Sequence, residues 1–377
     1  MTSNEIIEIV IIVAATLAKI GVIMTLTLGM VPILTWLERR GAAFIQDRLG
    51  PNRTSVFGIA LFGLIQPIAD AVKLIFKEDV QPRNADKLLF NFAPMLIVFG
   101  VLITFSVIPF GPDIIIELTG EDPKTITIPL QLADINAGMI FVLAFSSFAT
   151  YAILLGGWAS NNKYSILGAL RSSAQMISYE ITMGLSLIGL FMMFKTVSIN
   201  EIVIGQGQFL WGIVWQPVGF ILFLVSAMIE SNRVPFDMPE ADSEIVAGYH
   251  TEYSSMKFAM YFMGEYAAMV VLSALIVTLF LGGWQLPFVD ITELVKNQYL
   301  CALLGFSIFF GKVFFFLWFF VWTRWTFPRF RFDQIMNLGW KILFPLGLVN
   351  LLVTALFVLL FWDKVESFFN SISFFAG

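Results

Sequence analysis

The chain has 377 residues, 58% of them hydrophobic and 13% charged, with a net charge of −5 and a mean hydropathy of +0.84. Soluble domains carry about twice that charged fraction, so a water-soluble fold is excluded, and an acidic chain without an extended basic face is no nucleic-acid binder. A single cysteine, Cys301, and a single histidine, His250, cannot hold an iron–sulfur cluster, a bis-histidine haem or a Cys/His zinc site; any electron chemistry has to come from a partner or a diffusible molecule.

The N-terminus, MTSNEIIEIV, is acidic ahead of its apolar run. A signal peptide starts basic, so this segment reads as a retained helix. Apolar runs approaching or exceeding the ~20 residues of a membrane-crossing helix place eight spans at about 6–37, 88–109, 135–155, 172–194, 213–230, 258–281, 299–322 and 338–362. The expected class is an all-α polytopic membrane protein, one integral-membrane domain over 1–377, because the runs lack the alternation of barrel strands. The first span is longer than a bilayer requires and is expected to tilt or project.

Residues 57–76, FGIALFGLIQPIADAVKLIF, imitate a further span. Gln66, Asp70, Lys73 and Lys77 recur at helical spacing and form a polar stripe opposite an apolar face. That pattern suits a helix lying in the membrane interface, kinked at Pro67. Positive charge supports this count. The loops after spans 1, 3, 5 and 7 hold fifteen Lys and Arg; the other loops and the C-terminus hold only Lys124, Lys195, Lys296 and Lys364. The positive-inside rule then puts the odd loops in the cytoplasm and both termini outside.

The first cytoplasmic loop opens WLERRGAAFIQDRLGPNR, residues 36–53. Its arginines anchor the membrane surface and suit lipid headgroups or a docked soluble partner. Glu180, Glu230 and Glu265 fall within or at the ends of spans, where ionisable groups are costly and usually functional. They suggest a polar path for protons. Lys19 and Lys312 also fall within spans; Lys19 either snorkels or pairs with an acid.

Between two apolar runs lies SNRVPFDMPEADSE, residues 231–244. The window 230–252 holds six acids and one basic residue, Arg233. The spacing does not match a calcium-binding loop. A solvated loop and a folded element against the membrane both fit. In the second case Pro235 and Pro239 stiffen its start, a helix from Pro239 sets Glu240 and Glu244 on one face, and Phe236, Met238, Tyr249 and Tyr253 are buried.

GLIQPIADAVKLIFKE at 63–78 and PFDMPEADSEIVAG at 235–248 resemble the two signature stretches of the H/subunit-1 family of respiratory complex I, the proton-pumping NADH:quinone oxidoreductase. The similarity extends through 36–53, GGWASNNKYSILGALRSSAQMISYE at 156–180, GYHTEYSSMKFAMYFMGEY at 248–266 and PRFRFDQIMNLGWK at 328–341. It covers most of the chain in one order. The outside loop 111–130 is the weakest match and carries no assigned role.

The resemblance implies eight spans, a surface helix over about 54–78, and a bacterial cytoplasmic membrane. Quinone enters from the lipid between the first and sixth helices and the surface helix. It is the substrate; this chain holds no redox cofactor and no metal. FMN and iron–sulfur clusters belong to partners: cluster-bearing and quinone-site subunits of the peripheral arm, with small membrane-arm subunits alongside. Glu38, Arg39, Arg48, Asp70, Lys73, Phe236, Asp237, Glu240, Asp242 and Glu244 become candidates for the tunnel and its charged lining. Glu180, Glu230 and Glu265 match the family's line of buried glutamates. One departure stands out: the family's usual run, PFDxPEAExE, has Glu where this chain has Asp242, one methylene shorter. The equivalent subunit of a membrane-bound hydrogenase, a stand-alone proton-coupled transporter and a scaffold for soluble subunits are the alternative readings.

Overall fold

The computed structural model describes residues 3–55, 58, 61–118, 124–208, 210–237, 246–287 and 297–376. The predicted helix from Pro239, with Met238, Glu240, Asp242 and Glu244, lies outside the described residues.

Each predicted span contains helix. α1 (Ser3–Ile45) is followed by α2 (Ile65–Phe76), α3 (Lys87–Phe105), α4 (Gly138–Ser146), α5 (Phe148–Ala159), α6 (Lys163–Phe194) and α7 (Ile199–Gln208). α8 (Gly212–Trp215), α9 (Pro217–Glu230), α10 (Ser255–Phe280), α11 (Gln298–Thr326), α12 (Phe332–Asn337) and α13 (Phe344–Ala376) follow. Among the described residues, seven helical segments are long and apolar enough to cross a membrane; α4 and α5 together make one, and α12 with α13 another. Side-chain caps fix several starts: Asp86 accepts from the amides of Leu88 and Leu89, Asn162 from Tyr164 and Asn297 from Tyr299. Each satisfies backbone donors that the first helical turn leaves without partners.

The fifth predicted span, 213–230, is divided. α9 has 14 residues, about 21 Å of helix, short of the ~30 Å hydrocarbon core. Pro217 has no amide hydrogen and its ring collides with a preceding turn, so the helix breaks at Gln216. Broken backbone at membrane depth is tolerated when protein covers it, and here Gln216 bonds Thr354 at 2.7 Å and Asn350 at 3.0 Å, both on α13.

The surface helix is shorter than expected. Helix starts only at Ile65, so Pro67 lies in its first turn, where proline is accommodated, and does not kink it. Lys77 has extended backbone past the helix end and leaves the stripe. Before α2 the chain bends through Leu61, Phe62 and Gly63, all at positive φ. Gly63 is required there: a Cβ would lie 2.0 Å from the Pro51 carbonyl oxygen. Trp36 ties the bend to α1 by donating to Phe62 O at 3.0 Å.

α10 is the central element, with most of its length buried. It packs against α1, α3 and α11, and the largest apolar cluster gathers around it. Between α3 and α4, strands β1 (Ile114–Leu118) and β2 (Lys124–Ile128) form an antiparallel hairpin with Ile114 opposite Ile128. Gln298 at the head of α11 pairs with the Ile115 backbone at both its amide and its carbonyl, so β1 is docked on the head of α11.

Candidate functional site: a charged chamber beside buried carboxylates

α1, α2, α10 and the end of α11 enclose a cavity of about 650 Å³. Of the predicted lining residues, Glu38, Arg39, Arg48, Asp70 and Lys73 border it. α2 presents its polar face to the cavity and leaves Ile68, Val72 and Ile75 exposed on the other side. That orientation is the reverse of a soluble surface helix and fits an apolar medium outside. Arg39 and Asp70 pair at 2.6 Å across the α1–α2 junction, both partly exposed. Just past α1, Asp47 takes the left-handed region, and the Arg48 amide bonds back to Ala43 O at 2.9 Å. This reversal, a common helix stop, returns Arg48 to the chamber.

Glu38 lies at the cavity wall with little exposure. Its carboxylate accepts from the Tyr266 hydroxyl of α10 and from the Arg324 guanidinium of α11. Behind it stands Arg233, 3.9 Å from Glu38 and 3.7 Å from Glu265. The Arg233 guanidinium also lies 3.9 Å above the Tyr266 ring centroid, a cation–π contact. Local sequence explains the placement. Asn232, just past α9, takes a φ of +51°, a left-handed conformation that asparagine tolerates, and the chain turns so that the Phe236 amide bonds Arg233 O at 2.8 Å. Composition marks Arg233 only as the lone cation among six acids, and that is the available signal for a buried bridge.

Phe236 and Asp237 are near the chamber in sequence logic but stand apart from its lining. Phe236 stacks on Phe330 with centroids 5.5 Å apart, and Asp237 accepts from Arg329 at 2.7 Å. They fasten the start of the acidic stretch to the segment after α11. The Val234–Pro235 peptide is cis.

The three glutamates are absent from the chamber lining; Glu265 and Glu230 are buried and Glu180 is half-buried. Glu265 accepts from the Tyr249 hydroxyl at 3.0 Å. Glu230, at the end of α9, lines a second cavity of about 40 Å³ with Thr104, Ser146, Met176 and Met183. Ser146 lies within hydrogen-bonding reach of Glu230, and among the described residues Glu230 Oε2 has no hydrogen-bond partner. A cavity of that size has room for water. Glu180 on α6 accepts from Thr150 of α5 at 3.3 Å and lies within electrostatic reach of Glu230.

The two lysines in spans are tied to backbone. Lys19 donates to Gln131 O at 3.0 Å and Pro129 O at 3.4 Å, next to Asp113, whose carboxyl burial raises, with Asp134 adding to the effect and Lys19 opposing it. Lys312 donates to the carbonyls of Leu281, Gly283 and Gln285 at 2.8, 2.9 and 2.6 Å. It caps the C-terminal end of α10, where carbonyls lack helical partners. Among the described residues no three His, Cys, Asp or Glu gather as metal ligands.

The fold and site define a polytopic α-helical membrane protein in which a large charged chamber adjoins a row of buried carboxylates. A family model described as NADH dehydrogenase matches residues 18–355. The chain is 46% identical over 348 residues to an H subunit of the NADH-quinone oxidoreductase of Geobacter metallireducens, covering 92% of this chain and 98% of that protein. It is 44% identical over 363 residues to the corresponding NADH-quinone oxidoreductase protein of Flavobacterium psychrophilum, covering 96% and 100%. Against that of Thermomicrobium roseum the figures are 47% over 344 residues, 89% and 93%. The chain belongs to the NADH dehydrogenase family, the H/subunit-1 family of respiratory complex I.

Proposed function

We propose that this chain is the membrane subunit of an NADH:quinone oxidoreductase that contains the quinone chamber and couples quinone reduction to proton translocation. The observation that carries the reading is Arg233, held between Glu38 on the chamber side and Glu265 at the head of the buried row. Reducing a quinone to its quinol takes up electrons and protons, so charge in the chamber changes during turnover. Glu38 is bonded to Arg324 and Tyr266 as well. A change in charge beside it alters its hold on Arg233, and Arg233 then shifts toward or away from Glu265. In a site screened from water such a shift is energetically large. Glu230 and Glu180 continue the row, with the small cavity beside Glu230 as the place for a bridging water.

In this reading the electrons come from the cluster-bearing subunits of the peripheral arm, where FMN and the iron–sulfur clusters reside. Small membrane-arm subunits flank the chain in the inner membrane, and both termini face outward. Glu240, Asp242 and Glu244 are candidates for the charged lining. A photoreactive quinone analogue tests the chamber directly. In the assembled complex it labels peptides of α1, α2 or α10 around 28–77 and 258–266, and excess quinone suppresses the labelling. Labelling confined to other subunits contradicts the reading.

A further inference from the structure

Three tyrosines near α10 are absent from the chamber lining. Tyr249 lies in a 3-10 turn, Gly248–His250; Tyr253 follows in the next turn. Tyr261 is on α10, four residues before Glu265 and therefore on the same face. All three are buried. Tyr249 donates to Glu265 at 3.0 Å. The rings form a chain: Tyr249 meets Tyr261 edge-on with centroids 5.0 Å apart, Tyr261 meets Tyr253 edge-on at 4.9 Å, and Tyr253 stacks on Phe90 at 4.1 Å. The Tyr253 hydroxyl lies within hydrogen-bonding reach of those of Tyr261 and Ser160. Ser160 ends α5, and the adjoining Asn161 is exposed, while Asn162 is bonded to Glu252 at 2.6 Å.

Packing alone gives no reason for the hydroxyls. Phenylalanine in each place keeps the same ring contacts, and a buried hydroxyl costs free energy unless it is bonded. Here they donate to the last turns of α5: Tyr261 to Ala152 O at 3.2 Å, Tyr253 to Gly156 O at 3.4 Å, Ser160 to Gly156 O at 2.7 Å. The backbone is also cut away for them. A Cβ on Gly156 would lie 2.1 Å from the Tyr261 hydroxyl oxygen and 3.2 Å from that of Tyr253. The Gly-Gly-Trp at 156–158 thus makes room for polar atoms. Burial pushes the Tyr253 phenol up to about 12, so it stays a neutral hydroxyl able to donate and accept.

We propose that the hydroxyls of Ser160, Tyr253, Tyr261 and Tyr249 form a proton relay that supplies Glu265 from the surface at Asn161–Asn162, separate from the quinone chamber. This rests on the reading of Glu265 as a proton-path residue. A proton enters at Ser160, each hydroxyl accepts one proton and passes its own onward, and the Tyr249 proton goes to the Glu265 carboxylate; no electron moves. The junction of Tyr261 and Tyr249 is the gate. Their rings touch while one hydroxyl donates to Ala152 O and the other to Glu265, so passage requires an O–H group to turn away from its present acceptor.

The test uses the assembled complex in sealed vesicles with Tyr261→Phe, Tyr249→Phe and Glu265→Gln. NADH oxidation by an artificial acceptor, which bypasses the membrane chain, reports assembly. The relay predicts that both Phe variants assemble, lose quinone-linked proton pumping severalfold, and show a larger solvent deuterium isotope effect on the remaining turnover. A merely structural hydroxyl does not change the isotope effect. Pumping and isotope effect unchanged in both Phe variants, with pumping lost in Glu265→Gln, overturns the relay and leaves the coupling reading standing. Full pumping in Glu265→Gln overturns both. If one Phe variant fails to assemble, the other decides on the same criteria.

Discussion

Arg233 holds its guanidinium 3.7 Å from the Glu265 carboxylate, with the two side chains only 7% and 5% exposed. The partnership joins the turn after α9 to the central helix α10. Removing one member of a buried ionic group leaves the others uncompensated, at a cost of about 3–5 kcal/mol. Arg233→Met is therefore expected to lower the yield of assembled complex and to abolish quinone-linked turnover in what remains. Arg233→Lys restores the charge without the planar contact over Tyr266 and is expected to be intermediate. The check is the quinone-linked rate divided by the rate with an artificial acceptor.

Asp237 and Arg329 are paired at 2.7 Å, with Asp237 buried. Asp237→Asn is expected to cost about 1.5–3 kcal/mol of stability and to loosen the Phe236–Phe330 stack. A double-mutant cycle with Arg329→Gln, read by thermal unfolding of the purified complex, is expected to show a coupling above about 0.5 kcal/mol. Strict additivity contradicts the pairing.

The spans are legible because membrane-crossing helices leave a coarse signal: long apolar runs and a bias of basic residues. The surface helix is legible from the spacing of Gln66, Asp70 and Lys73, although the apolar pattern sets its start too early. The bend at Leu61–Gly63 depends on contacts with Pro51 and Trp36, which no local pattern encodes. The division of the fifth span at Gln216 is marked by Pro217, yet what makes the break tolerable is Thr354 and Asn350, far along the chain. In the site, the acids are visible as anomalies in an apolar background. Arg233 and Tyr249 do not stand out as site residues, because their roles arise only when α9, α10 and the intervening turns meet. Lys312 looks like an intramembrane charge without a role; the role is the end of a helix remote in sequence.

Lys312 makes three bonds to backbone carbonyls beyond α10. Lys312→Met is expected to destabilise the complex by about 2–3 kcal/mol, since the carbonyls lose a charged donor. Turnover per assembled complex is expected to be unchanged, because these bonds lie at the opposite end of α10 from Glu265. Thermal unfolding and the quinone-linked rate, measured on the same preparation, separate the two effects.

Gly168 of α6 packs directly on the turn that carries Tyr249: a Cβ there would lie 2.7 Å from Gly248 Cα. The neighbour is backbone and cannot rotate away. Gly168→Ala is expected to cost about 1–3 kcal/mol and to shift Tyr249 away from Glu265. Reduced stability together with reduced proton pumping is the expected pair of results in vesicles.

The central claim is that the buried carboxylates respond to quinone chemistry in the chamber. Glu180 tests it most directly, because it lies well away from the lining residues and is bonded to Thr150 within the helix pack. Glu180→Gln preserves size and hydrogen bonding but removes the titratable proton. The measurement is proton pumping per NADH oxidised in vesicles, with quinone-linked turnover recorded alongside. The expected result is that pumping collapses and coupled turnover falls with it, while oxidation of NADH by an artificial acceptor is retained. Full pumping at normal turnover contradicts the claim.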